Sequence, residues 1–162
     1  VTLEPQAAQR LWERGISYYY AGEYEKGAKQ FEEYQKYHDQ DVENAVWRYL
    51  CVARSSGVEK ARSNLLPITN DPRVPMMPIY ALYQGKLKPD DVLAAAHANP
   101  PNKELHNQRL FYAHLYLGLW HEAAGNTDEA KKHILEAEKH KIGHYMWDVA
   151  HVHAELLRAK DK

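Results

Sequence analysis

The chain has 162 residues, 44% hydrophobic and 27% charged, with 21 Lys plus Arg against 22 Asp plus Glu. That length fits one domain able to bury a sizeable core unaided, and the near-neutral balance argues against a dedicated nucleic-acid or anionic-membrane binder. Cys51 is the only cysteine, which excludes an internal disulfide and a thiol-based metal site, and no apolar run approaches the roughly 20 residues of a membrane span.

Strand signals are scarce, and helix signals come in pairs. A first helix is expected to start near Pro5, a favoured first-turn residue. It carries Ala8, Leu11, Gly15 and Tyr18 along one side and stops at Gly22, a natural C-cap. A second helix turns Gly27, Phe31 and Tyr34 inward, with Glu32, Glu33 and Lys36 outward. A copy 34 residues on maps Gly15 to Tyr49, Tyr18 to Val52, Gly27 to Ala61 and Phe31 to Leu65, with Gly57 supplying the turn. From Pro67 to Pro78 an extended connection is expected, because residues before proline avoid the helical region. A degenerate third pair follows: a short helix to Gln84, a turn at Gly85, and a short helix from Pro89 to about residue 98.

The fourth pair is the clearest. Leu117, Gly118 and His121 precede a turn at Gly125. Asn126 is placed to cap the next helix, with Glu129 three residues later as in a capping box, and Ala130, Ile134 and Ala137 follow on one face. A final helix, "HYMWDVAHVHAELLRAK", has no partner after it and suits a terminal cap.

The first and fourth pairs are in register: Gly118, Gly125 and Ile134 each lie 103 residues beyond Gly15, Gly22 and Phe31. That is three 34-residue repeats plus one residue, and a period of 34 is a signature of helix-turn-helix arrays. On these residues the chain resembles the tetratricopeptide repeat (TPR) family. The motif falls on Leu11, Arg14-Gly15, Tyr18, Gly22, Gly27, Phe31 and Tyr34 in the first pair. In the last it falls on His114, Leu117-Gly118, His121, Gly125, Ala130, Ile134 and Ala137. Arg14 stands in place of leucine, His121 of tyrosine and Tyr34 of alanine.

The resemblance implies an all-α, TPR-like array of antiparallel helix pairs, an α-α superhelix with a C-terminal capping helix. One domain then spans residues 1–162, with units at about 5–40, 41–68, 74–98 and 104–141 and a cap at 144–159. It also implies no enzymatic activity and no cofactor, but a scaffold that holds a peptide or another protein. In such arrays the first helix of each pair lines a groove. The groove positions would be Gln9, Trp12, Ile16, Tyr19 and Tyr20; then Glu43, Val46, Trp47, Leu50 and Arg54; then Tyr112, Leu115, Tyr116, Leu119 and Glu122.

Aromatic residues and arginine dominate binding energy at such surfaces. Trp12, Ile16, Tyr19, Tyr20, Trp47, Arg54, Tyr112 and Tyr116 are therefore the expected partner-binding residues. The family's carboxylate clamp is not carried over, because Trp12 and Ile16 occupy its positions. The rings can instead simply pack between helices, since aromatic stripes at helical spacing usually mean core. An exposed aromatic patch would equally serve a homo-oligomer.

Histidine is the other anomaly: ten are present, seven of them between His114 and His153. His144, Asp148 and His151 share one helical face, and such donors can serve zinc. This makes a metal- or small-ligand-binding helical domain the alternative function. Against it, the two histidines lie two turns apart, about 10.5 Å, and His114 and His121 share that separation. A few histidines titrating near pH 6 would modulate a partner contact. Single-stranded RNA is a third partner class, disfavoured by the charge balance. Cys51, within "AVWRYLCVA", reads as inert core rather than nucleophile. The start at Val1 fits a mature form after removal of a targeting segment, or a trimmed chain. The compartment stays open between export and cytoplasm.

Overall fold

A computed structural model describes residues 11–160. Among these the chain is all α-helix, with no strand, and it divides into two compact units that meet in sequence at Pro72/Arg73. The expected helix start at Pro5, and Ala8 and Gln9 with it, lie outside the described residues.

The first unit contains α1 (Trp12–Tyr20), α2 (Tyr24–Gln35), α3 (Val42–Ser56) and α4 (Val58–Ser63). α3 is the centre of its core. Val42, Ala45, Val46, Trp47, Tyr49, Leu50 and Cys51 are all within 1% of complete burial. α1, α2 and α4 all pack against it. A helix apolar on nearly every side has to be covered on every side. Asp41 starts α3, its Oδ1 accepting from the Glu43 amide at 3.0 Å. The buried Asp71 carboxylate accepts from the Val42 amide at 3.1 Å. Two of the four donors that a helix N-terminus leaves open are thus satisfied. Asp41→Ala should cost about 1 kcal/mol in urea unfolding, the usual loss for an N-cap.

α4 ends earlier than the 34-residue correspondence suggests. It stops at Ser63, and Leu65, the counterpart of Phe31, lies beyond it. Pro67 explains the stop, because Leu66 ahead of it is steered away from helical geometry. Tyr34 is half-buried and stacks on His38, with ring centroids 5.0 Å apart, rather than filling the core.

The second unit contains α5 (Met76–Tyr83), α6 (Pro89–His97), α7 (Lys103–Ala123), α8 (Thr127–Lys139) and α9 (Tyr145–Ala159). The extended stretch anticipated up to Pro78 gives way to helix at Met76, and Pro78 sits in the first turn of α5, where its missing N–H is harmless. α7 is the spine. Its middle, Phe111 to Leu119, is buried apart from His114, and α5, α6 and α8 pack on it. The Tyr83 hydroxyl donates to the Tyr116 carbonyl at 2.8 Å inside this core. Asn102 caps α7, accepting from the Leu105 amide at 2.8 Å.

Gly125 makes the α7/α8 turn with φ +81°, a left-handed conformation that favours glycine. The capping box anticipated at Asn126 and Glu129 does not form. Asn126 makes no side-chain cap, and its amide nitrogen lies 3.5 Å from His121 Nδ1. Glu129 pairs with Lys132 at 3.2 Å instead. α9 lies on α8, burying Met146, Val149, Ala150, His153 and Ala154, and presents Tyr145, Val152 and Leu156 to solvent. No helix among the described residues is long and apolar enough to cross a membrane.

Candidate functional site

Two clusters stand out, one in each unit. The first is aromatic. α1 brings Tyr19 and Tyr20, α2 brings Tyr24, and α3 brings Trp47. Tyr19 is the hub: its ring centroid lies 5.3 Å from Tyr20, 5.7 Å from Tyr24 and 5.4 Å from Trp47, each pair edge-to-face. That geometry places the positive ring edge against the negative face of its neighbour. Arg54, near the end of α3, sets its guanidinium 5.4 Å from the Tyr24 ring and 6.0 Å from that of Tyr19. The exposed rim comprises Arg54 and the half-buried rings of Tyr20 and Tyr24, with half-buried Trp12 on the same helix as Tyr20. Ile16, Tyr19 and Trp47, three of the expected partner-binding residues, are interior, at 1%, 6% and 1% exposure. They support the rim from beneath.

Tyr112 and Tyr116, expected at the same kind of surface, are buried in the second unit and stack on each other with centroids 6.3 Å apart. Val46, Leu50, Leu115 and Leu119 are likewise core. Glu122 faces His153 of α9, carboxylate to Nε2 at 3.4 Å. The helical spacing of these apolar residues reflects packing against neighbouring helices.

The second cluster is the seam between α7 and α8, which is lined with imidazoles. His121 and His133 lie parallel with centroids 5.6 Å apart, and His114 and His140 do the same at 5.9 Å. His114 and His133 are joined through their Nδ1 atoms at 2.9 Å, so one donates and the other accepts. His140 Nδ1 donates to the Asn107 side-chain oxygen at 2.9 Å. His133 on α8 and His140 at its C-cap each follow a glutamate by four residues. Nε2 to carboxylate is 3.9 Å for His133 and Glu129, and 3.7 Å for His140 and Glu136.

Burial lowers the pKa of all four imidazoles, because a charged ring loses its water. His114 is pushed down to about 4, with burial the larger cause and the facing His133 the next. At neutral pH it is therefore uncharged.

His144, Asp148 and His151 do not converge. His144 Nδ1 accepts from the Met146 amide at 3.2 Å, capping its own helix. His151 Nδ1 bonds the Glu138 carboxylate at 2.7 Å and stacks on Trp147. Among the described residues two groups bring three metal-donor atoms together: His121, Glu129 and His133, and Glu138, His151 and Glu155. Neither contains His144 or Asp148. The second already holds a cation, since Arg158 reaches Glu155 at 2.6 Å and Glu138 at 3.1 Å.

The seam is not legible along α7 alone, where His114 and His121 lie two turns apart. The signal is across the turn. His121 and His133 stand six residues either side of Thr127, and His114 and His140 stand thirteen, so an antiparallel hairpin brings each pair face to face.

Neither a protein-family model nor a curated protein matches the chain.

Proposed function

We propose that the chain is a non-enzymatic, TPR-like helical scaffold that binds a peptide or another protein through the aromatic rim of its first unit. The observation that carries this reading is the placement of Arg54 and Tyr24 at the solvent edge of a rigid ring cluster. Tyr20 lies beside them, and the interior rings of Tyr19 and Trp47 lie beneath. Rigid aromatic area with an arginine at its border loses little side-chain entropy on binding, which is why such residues concentrate binding energy. The like spacing of the two glycine-turned hairpins supports a repeat origin for the scaffold. Nucleophilic chemistry at Cys51 is disfavoured, because burial pushes its thiol up to about 12.

The test is affinity capture from native extract with the wild-type chain and with a Tyr20→Ala/Arg54→Ala variant. Both sites are at least partly exposed, so the fold should survive, as circular dichroism would verify. The expected result is a protein retained by wild type and lost by the variant, with nuclease treatment making no difference. Identical capture by both would remove the rim from the function. Nuclease-sensitive capture would point to RNA instead.

A further inference from the structure

Three metal-donor side chains from the two arms of the α7/α8 hairpin converge beside its turn. One ring nitrogen of His121, one of His133 and a carboxylate oxygen of Glu129 all lie within 4.8 Å of one another. We propose that His121, Glu129 and His133 bind a divalent cation of the zinc class. This goes beyond the scaffold reading and stands without it.

The donor set selects the metal. Two imidazoles and one carboxylate suit zinc and its neighbours such as cobalt and nickel. Magnesium and calcium prefer oxygen donors throughout. Zinc bonds of 2.0–2.1 Å in a tetrahedron need donors roughly 3.3 Å apart. His133 Nε2 and Glu129 Oε2 are already at 3.9 Å. The remaining closure falls to side-chain torsions, and Glu129 is exposed, held at the surface by its pair with Lys132.

The buried half of the site is prepared. His121 and His133 are 9% and 6% exposed. The His114 ring engages His133 at Nδ1, which leaves Nε2 directed at Glu129. An outer partner that fixes the far nitrogen of a metal-binding imidazole is a usual feature of such sites. When His133 donates its Nδ1 proton to His114, its Nε2 lone pair faces the carboxylate. Two acceptors then confront each other, and a cation between them resolves the conflict.

Three protein donors leave a fourth position for water or another ligand, as in accessible rather than closed zinc sites. Exposed Glu129 marks the entry. Lys132 is the competitor, with its ammonium 3.2 Å from the same carboxylate. That pair is solvent-exposed, and such pairs are weak.

The test is calorimetric titration of the metal-free full chain with zinc chloride. Cobalt chloride absorption reports the ligand field in parallel. One equivalent should bind, and cobalt should give the visible bands of a low-coordinate nitrogen/oxygen site. Glu129→Gln, at an exposed position, should weaken zinc at least about 10-fold, the loss seen even for outer partners of metal sites. Lys132→Ala should tighten it by up to about 5-fold, the scale of an exposed ion pair. Glu155→Gln, in the cluster that holds Arg158, should change nothing. The proposal is overturned by absence of binding at tenfold excess metal, by an affinity unmoved by Glu129→Gln, or by equal weakening from Glu155→Gln.

Discussion

Gly118→Val should destabilise the second unit by about 3 kcal/mol or more, the upper range for overpacking a filled core. A Cβ at residue 118 would lie 2.7 Å from both Cδ1 and Cγ1 of Ile134 and 3.1 Å from the Ile134 backbone nitrogen. The side-chain atoms belong to a fully buried residue, and the nitrogen belongs to α8 itself. Relief therefore requires the two helices to separate. Even Gly118→Ala should destabilise, although alanine favours helix by roughly 1 kcal/mol over glycine, because the clash arises at Cβ. Ile134→Ala introduced with Gly118→Ala should recover part of the loss, and a double-mutant cycle in urea isolates that coupling. Gly143 is the control. A Cβ there meets nothing within 4 Å, so Gly143→Ala should stay within about 0.5 kcal/mol of wild type. Equal effects at the two glycines would mean that helix approach at Gly118 is not what requires its size.

The same contact occurs at the other end of the sequence register. A Cβ on Gly15 would lie 2.5 Å from the Phe31 ring, and Gly15 and Phe31 precede Gly118 and Ile134 by the same 103 residues. The turns agree as well. Glu23 donates to the Tyr18 carbonyl and Asn126 to that of His121, both at 2.9 Å, with Gly22 and Gly125 at φ +76° and +81°. These features are legible because each depends on a small residue at a fixed spacing, which the order of residues displays directly.

What the sequence could not display was the choice of face. α3 is apolar nearly all round, so a period of 3.6 cannot say which of Val46, Trp47 and Leu50 meets solvent, and none of them does. α7 has the same ambiguity over Tyr112 to Leu119. The 34-residue copy carries Phe31 onto Leu65, whereas α4 already ends at Ser63, ahead of Pro67. The imidazole seam needed one further step, the antiparallel register about Thr127. Before a turn is fixed, two histidines on one helix look two turns apart and unrelated. Afterwards each has a partner on the facing helix.

Alkali should cost wild type more stability than it costs a Cys51→Ala variant. The Cys51 thiol is completely buried in α3, and loss of its water, only partly offset by Arg48, pushes its pKa from 9.0 up to about 12. The sign follows from proton counting. Between those two values the unfolded chain has lost the thiol proton and the folded chain has kept it. Folding therefore binds a proton there, and stability falls as pH rises. The contribution is intact below pH 9. By pH 10.5 the loss reaches about 2 kcal/mol, at 1.36 kcal/mol for each tenfold change in protonation balance.

Tyrosines and lysines also titrate in that window, and the buried Tyr49 phenol is raised by its own desolvation. Those groups are common to both proteins, so the comparison cancels them. Urea midpoints at pH 8 and pH 10.5 should show wild type losing about 2 kcal/mol more than Cys51→Ala. Iodoacetamide at pH 8 should leave native Cys51 unmodified and label it once urea is added, because the thiolate is the nucleophile. Matching pH slopes, or rapid labelling of the native chain, would mean that α3 opens to solvent without global unfolding. The ring cluster built on its Trp47 would then lack the rigidity on which the proposed binding rim depends.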